Sequence, residues 1–376
     1  MKKIALLVFA TLVLFACSQK KEPAGTEAQV VDKEYEKIIE EIKSGMTSSL
    51  YDNVVYLHQQ KERYKDHKLV TEITHEIRKI LVDHIIKKFD EEMKHNFVSY
   101  DSAIINANTQ LFNGNADKAL KIIEPAMNEV EIFRELVLAD DSATIYRFFY
   151  NVVEEGFYLK VIHGDSKRKI YPLPERFFHA YLTYGTTLVE LERYDDAKAA
   201  LVKAWEINPV YADVYFELGE ISKIQKDQKE FFRLTQEAHK VAYTKEKLAR
   251  CYRNFGYYFI EQEKYDDAIA MYHASLSFDS TQTKRVLSEL DYIQKYTKKP
   301  LGKKPSEEQI RAVFKKNNIQ YGVDENLYNL IYSLGRALEE AKEYERAKFC
   351  FKILFDLTGK KEFKDLIEKI DKMPKT

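Results

Sequence analysis

The run HAYLTYGTTLVELERYDDAKAALVKAWEINP, residues 179–209, decides the fold. Gly185 sits inside a helical pattern with Tyr181, Tyr184 and Leu188; Ala197 follows twelve residues later, and Tyr194, Leu201, Ala204 and Pro209 complete the unit. Glycine within a helix costs about 1 kcal/mol relative to alanine, so its return in one context marks a place where two helices approach closely. It does return, at Gly219, Gly256 and Gly335, and Ala268 and Ala347 repeat the alanine after the last two. Around Gly256 the matching positions are Tyr252, Phe255, Phe259, Tyr265, Tyr272 and Ser275; around Gly335 they are Ile331, Leu334, Leu338, Tyr344, Phe351 and Leu354. The Gly219 segment keeps Tyr215, Leu218 and Ala238 but carries Phe231 in place of the alanine, so its second helix is expected to pack less regularly.

This pattern resembles the tetratricopeptide family, whose 34-residue unit is a helix-turn-helix with small residues in both helices. Gly185 to Gly219 is 34 residues and Gly219 to Gly256 is 37, whereas Gly256 to Gly335 is 79, which leaves room for an extra helix and a linker. A weaker upstream copy has Ala103, Ala107, Ala119, Ile123 and Ala126, with Asn113-Gly114-Asn115 as its turn. The resemblance implies an all-α fold, a tetratricopeptide-type α-α superhelix: a solenoid of helix-turn-helix repeats with helical caps.

Lys2 and Lys3 precede an apolar run from Ile4 to Phe15, the composition of a secretory signal peptide. Leu14-Phe15-Ala16-Cys17 is similar to a bacterial lipobox, in which the cysteine thiol receives a diacylglyceryl group and, after cleavage, becomes the amino terminus. Phe15 departs from the small or aliphatic residue usual there. The run is shorter than the roughly 20 residues a membrane span needs. Acyl chains on Cys17 would hold a soluble body at a bilayer, since each buried methylene contributes about 0.8 kcal/mol. Ser18 to Val31 lacks apolar periodicity and reads as a flexible tether. Ser18 stands where an aspartate would favour inner-membrane retention, which leaves the outer membrane as the default.

The 376 residues are 45% hydrophobic and 32% charged with a net charge of -1, which loss of Lys2 and Lys3 would take to -3. That balance gives no electrostatic footprint for nucleic acid. After Cys17 the remaining cysteines, Cys251 and Cys350, fall in separate repeats and read as buried free thiols rather than a disulfide. The expected organisation is a leader over 1–16, a tether over 17–31 and a helical N-terminal cap over 32–99. Repeats follow over 100–299, then a linker, last repeat and C-terminal cap over 300–376. In the first cap Tyr35, Ile38, Ile39 and Ile42 form one stripe, Leu50, Val54 and Leu57 another, and Val70 to Phe89 a third on a helix expected over 68–94. Phe363, Leu366, Ile367 and Ile370 supply the C-terminal stripe. Between Glu131 and Glu175 a long aromatic helix is expected, with Ile145, Phe148, Phe149, Val152 and Val153 on one side. The basic stretch Lys298 to Pro305 reads as a solvated linker, followed by a capping box of Ser306 and Gln309.

No catalytic constellation emerges from the sequence. The nine histidines show no metal-ligand spacing, His75-Glu76 lacks the second histidine of a zinc protease helix, and Gly302-Lys303-Lys304 lacks the parts of a phosphate loop. A non-enzymatic protein without cofactor or metal is the expectation.

The family resemblance implies that first helices line a partner-binding groove, and the corresponding positions here are His179, Leu182, Thr186 and Val189, then Asp213, Phe216, Glu220 and Lys223. They continue as Arg250, Arg253, Tyr257 and Ile260, and as Asn329, Tyr332, Arg336 and Glu339. Arg250 and Arg253 on one face are suited to hold a carboxylate bidentately. The lysine and asparagine clamp of chaperone-binding members is absent at the corresponding positions. The expectation is a lipid-anchored envelope protein that binds a protein or peptide partner as a scaffold or assembly adaptor. It resembles in outline the repeat lipoproteins of β-barrel assembly machines and those accompanying tripartite transporters. Two alternatives are a carrier whose 26 Tyr and 22 Phe line an apolar cavity and a surface lipoprotein that meets host molecules.

Overall fold

A computed structural model describes residues 26–48, 50–88, 98–134, 144–164, 166–298 and 302–373. The leader, Cys17 and the start of the tether lie outside the described residues, as do Phe89 and the Pro300 region. The chain divides into two units.

The smaller unit holds α1 (Thr26–Ser44), α2 (Leu50–Arg63) and α3 (Val70–Lys88). The expected stripes converge here: Ile38, Ile39 and Ile42 of α1, Val54 and Leu57 of α2, and Ile73, Ile77 and Leu81 of α3 are buried. Asn53 is buried too, and pins the α1–α2 loop by accepting from the Thr47 amide at 2.6 Å and donating to the Thr47 carbonyl at 2.8 Å. One correction applies to the tether, because α1 begins at Thr26 and residues 26–31 are helical.

The larger unit opens with the hairpin α4 (Val98–Phe112) and α5 (Ala116–Phe133). A strand β1 (Thr144–Arg147), a short helix α6 (Val152–Phe157), a π-helical turn (Tyr158–His163) and a strand β2 (Lys169–Pro172) follow. Three hairpins come next: α7 (Glu175–Glu190) with α8 (Tyr194–Ile207), α9 (Ala212–Ile224) with α10 (Gln228–Val241), and α11 (Lys245–Glu261) with α12 (Tyr265–Phe278). Then come α13 (Thr283–Thr297), α14 (Glu307–Lys316), the hairpin α15 (Glu325–Glu340) with α16 (Tyr344–Thr358), and α17 (Lys361–Asp371).

The five hairpins share one turn. The amides of Asn115, Arg193, Asp227, Lys264 and Glu343 donate to the carbonyls of Gln110, Leu188, Ser222, Phe259 and Leu338 at 2.8–2.9 Å. The residue before each donor is left-handed: Gly114, Glu192, Lys226, Glu263 and Lys342, with φ between 56° and 72°. Together these features form the Schellman closure that stops a helix and reverses the chain. The upstream pair α4–α5, with Ala107, Ala119 and Ile123 buried, is therefore built on the same plan as the rest.

Between the helices of a hairpin the glycines act as read from the sequence. A Cβ on Gly185 would lie 2.7 Å from Leu201 Cγ, one on Gly256 2.9 Å from Tyr272 Cε2, and one on Gly335 2.8 Å from Phe351 Cε1. In each case the partner lies sixteen residues on, while Ala197, Ala268 and Ala347 are fully buried in the second helix. Gly219 differs, because its Cβ would make an ordinary 3.6 Å contact with Phe231. The close contact that the other three glycines make is absent there, the irregularity that the degenerate pattern implied.

Two expectations are corrected. The aromatic stretch after Glu131 is not one long helix: Ile145 lies in β1, which pairs in parallel with β2, and Val152 and Val153 begin α6. Backbone pairing and Pro172 and Pro174 break any helical period there. Two helices, α13 and α14, rather than one, separate the third hairpin from the last. The Ser306–Gln309 capping box starts α14. Lys316 and Asn317 at its end bond the buried Asp267 of α12.

The last hairpin then turns back. Gly322, at φ 89°, donates its amide to the Tyr252 hydroxyl at 2.6 Å, and the Tyr321 ring sits among Tyr252, Phe278 and Phe314. As a result α15 packs against α10 and against α6, where Leu334 lies 3.3 Å from a Cβ built on Gly156. One apolar core consequently runs from Ile145 to Ile370, and α17 closes on α16 through Phe363 and Ile370.

Candidate partner-binding groove

The expected groove residues lie along the first helices of the hairpins, and most are already paired. Lys247 of α11 pairs with Asp213 of α9, and the Arg250 guanidinium reaches Glu217 at 3.4 Å and Glu220 at 4.0 Å. Lys223 stands 3.6 Å from Glu220 and 4.3 Å from the centre of the Tyr257 ring. Apart from Lys223–Glu220, which lies within α9, these contacts join α9 to α11, equivalent helices one repeat apart, so the charged ladder helps to set the repeat-to-repeat step.

Arg250 and Arg253 do not form the open carboxylate clamp expected of them. Arg250 is held between two glutamates, while Arg253 is 12% exposed and faces Asp279 at 3.7 Å. Burial lowers the Arg253 pKa and the Asp279 charge opposes that shift. Phe216 is a second correction: it is 1% exposed and lies under the Arg250 guanidinium, 4.4 Å from its carbon, so it supports the groove wall. Leu182 packs with Leu188 and Leu201, and Thr186 is half-buried. Arg336 bonds Glu339 at 2.7 Å, and Tyr332 is 41% exposed with its ring edge toward Phe363.

His179 leads to residues that the sequence reading missed. Its Nε2 lies 2.6 Å from the Tyr150 hydroxyl and 3.0 Å from Glu175. The Tyr150 ring lies 4.9 Å from that of Tyr211, the residue before α9, with 31° between their planes, and is edge-on to Phe178. Asn151, the N-cap of α6, donates to the Tyr243 hydroxyl at 2.8 Å, and that hydroxyl donates to Glu154 Oε1 at 2.8 Å. Asn208 Nδ2 donates to Glu154 Oε2 at 2.8 Å, and the Tyr150 amide does so at 2.9 Å. The segment between β1 and the π-helical turn therefore crosses the starts of three successive first helices, at His179, Tyr211 and Tyr243.

Glu154 is 1% exposed. Burial pushes its pKa up; the hydrogen bonds from Tyr150, Asn208 and Tyr243 and the Lys247 charge pull the other way without reversing the shift. A buried carboxylate of this kind is tolerated only because its oxygens are satisfied. Asn208 and Tyr243 sit in the short connections leaving α8 and α10, which is why aligning first helices did not single them out.

The large aromatics expected to line a cavity fill helix interfaces instead: Tyr181, Tyr252 and Tyr272 are among the largest fully buried side chains. A cavity of about 340 Å³ beside the α11–α12 turn is lined largely by charged and polar groups, among them Glu263, Asp266, Asp267 and Lys316. Among the described residues no cluster of three His, Cys, Asp or Glu side chains is placed to hold a metal, and no helix is long and apolar enough to cross a membrane. Cys251 and Cys350 are free and buried.

Residues 178–211, the hairpin α7–α8 and the step to α9, match the tetratricopeptide repeat family. With the shared turn and the glycine contacts, this makes the fold class all-α and tetratricopeptide-type. Solved structures similar to the chain include the MamA protein, 13% identical over 63% of this chain and 96% of that one with a TM-score of 0.30. They also include the pilF protein of Pseudomonas aeruginosa, 21% identical over 51% of this chain and 88% of that one with a TM-score of 0.29. The SMG5–SMG7 complex of C. elegans is 13% identical over 90% of this chain and 86% of that one, with a TM-score of 0.22. No curated protein matches the chain in sequence.

Proposed function

We propose that this chain is a non-enzymatic scaffold that binds a protein partner along its first helices, anchored through Cys17 to a bacterial envelope membrane as an assembly adaptor. The observation that carries the binding role is the row formed by His179, Asn208, Tyr211 and Tyr243, which engages a stretch of polypeptide through aromatic stacking and directed hydrogen bonds. Aromatic groups with polar tips give large contact area and direction, the combination that protein-binding surfaces concentrate at their energetic centres. Support for the anchor comes from the basic start, the apolar run and Leu14-Phe15-Ala16-Cys17. The outer membrane is the proposed location.

In-cell crosslinking from photoreactive residues at positions 182 and 257, followed by mass spectrometry, tests the binding role. Discrete partners lost on substitution of His179 and Tyr211 are expected, and no discrete partner would count against the scaffold. For the anchor, Cys17→Ser is expected to move the protein from the membrane pellet to the soluble fraction, and persistence in the pellet would contradict it.

A further inference from the structure

The segment held by the row has the character of a ligand. Tyr150 stands just ahead of the extended N-cap Asn151, and Val153, Glu154 and Phe157 follow within α6, so an aromatic residue before a short helix and three residues on it face the repeats. Each anchor is met by groups distant in sequence: Tyr150 by His179 and Tyr211, and Glu154 by Asn208 and Tyr243. Val153 and Phe157 enter the apolar core beside α15. The segment also lies outside the repeat plan, since it is inserted between α5 and α7, where neighbouring hairpins are joined by a few residues.

Two features make this docking less than optimal. Glu154 is buried, and Lys247, whose charge acts on it, is already committed to Asp213. Immediately beyond α6, Leu159, Val161 and Ile162 are 42–51% exposed, so the far side of the insertion buries little.

We propose that Tyr150–Phe157 is an internal ligand occupying the site of a partner, and that capture begins when a partner's amphipathic helix displaces it. That helix would follow an aromatic residue set just ahead of its N-cap, and would carry a carboxylate four residues after that ring and a second aromatic three beyond it. The inference rests on the scaffold reading above and adds the chemistry of the partner and a closed resting state. The covalent tether gives the internal segment a high effective concentration, so free peptide competes weakly with it.

The test uses the full chain and a fluorescent synthetic peptide of residues 148–158. Native protein is expected to take up little probe, and the Tyr150→Ala/Glu154→Ala variant at least tenfold more. Adding Asn208→Ala and Tyr243→Phe to that variant, or replacing the probe's glutamate at 154 by alanine, should remove the gain. Equal uptake by native and released proteins, or uptake indifferent to the probe's carboxylate, would overturn the proposal. If the released variant does not fold, Tyr243→Phe alone is read by amide hydrogen exchange. Residues 150–157 should exchange at least tenfold faster while α7 to α12 stay protected, and unchanged exchange or loosening of all these helices together would be contrary. Crosslinked partners in cells with no probe uptake by the released protein would sink this inference and leave the scaffold standing. Probe uptake with no cellular partner would do the reverse.

Discussion

The backbone of Gly256 lies so close to Tyr272 that a methyl group on the glycine would sit 2.9 Å from ring atom Cε2. Gly185 and Leu201 repeat the relationship, but Gly219 and Phe231 do not. Gly256→Ala is therefore expected to cost about 1–3 kcal/mol through overpacking. Gly219→Ala should stabilise by up to about 1 kcal/mol, because its Cβ meets only ordinary contact and the helix gains propensity. Urea unfolding of the two variants checks the contrast, and equal effects would contradict the assigned helix faces.

Glu192, Lys226, Glu263 and Lys342 hold the left-handed turn position that Gly114 holds in the first hairpin. A side chain there costs about 1–2 kcal/mol, while glycine returns about 0.5–1 kcal/mol in chain entropy. Lys226→Gly should raise stability by about 0.5–1 kcal/mol and Gly114→Ala should lower it. Thermal unfolding of the pair reads out the sign.

His239 and Glu154 give opposite responses to acid. Burial lowers the His239 pKa to about 4 from 6.5, against the pull of Asp324 and the Gly322 backbone. Between pH 6.5 and about 4 the unfolded chain binds a proton that the folded one refuses, so this contribution to stability is lost as pH falls. At about 1.4 kcal/mol per pH unit the loss is on the order of 3 kcal/mol over that window. His239→Gln should flatten it. For Glu154 the folded pKa is raised above 4.5, so the folded chain takes up the proton first and wild type gains on Glu154→Gln as pH is lowered toward that value. Stability measured against pH for both variants tests the two signs.

Lys316 Nζ lies 2.9 and 3.0 Å from the two carboxylate oxygens of Asp267, whose side chain is almost fully buried at the start of α12. Lys316→Met leaves that carboxylate to Asn317 alone and should cost about 1–3 kcal/mol. A double-mutant cycle with Asp267→Asn isolates the coupling, and additive effects would show that the pair contributes nothing.

The hairpins were legible because their signal is local: Gly185, Gly256 and Gly335 each answer a residue sixteen positions on, within one unit. Even the irregular contact at Gly219 showed in advance, through Phe231. The site was legible only in part. Glu154 finds its donors 54 and 89 residues away, and a contact of that range leaves no period in a single sequence. The short strands around Tyr146 and Tyr171 carry apolar runs that periodicity alone cannot tell from helix. Phe216 was misplaced because what covers it, Arg250, belongs to the next repeat. Nothing in the letters Glu192 or Lys226 announces a left-handed backbone.

The bond from Gly322 to Tyr252 changes how the array comes apart. An open string of repeats frays from its end, each unit melting against its one neighbour. Here the loop before α15 is bonded to α11, and α15 packs on α10 and α6 as well as on its own hairpin partner, so the last hairpin cannot peel away without breaking into the middle of the protein. Unfolding should be cooperative across α7 to α16, with α15 and α16 as slow to open as the central helices.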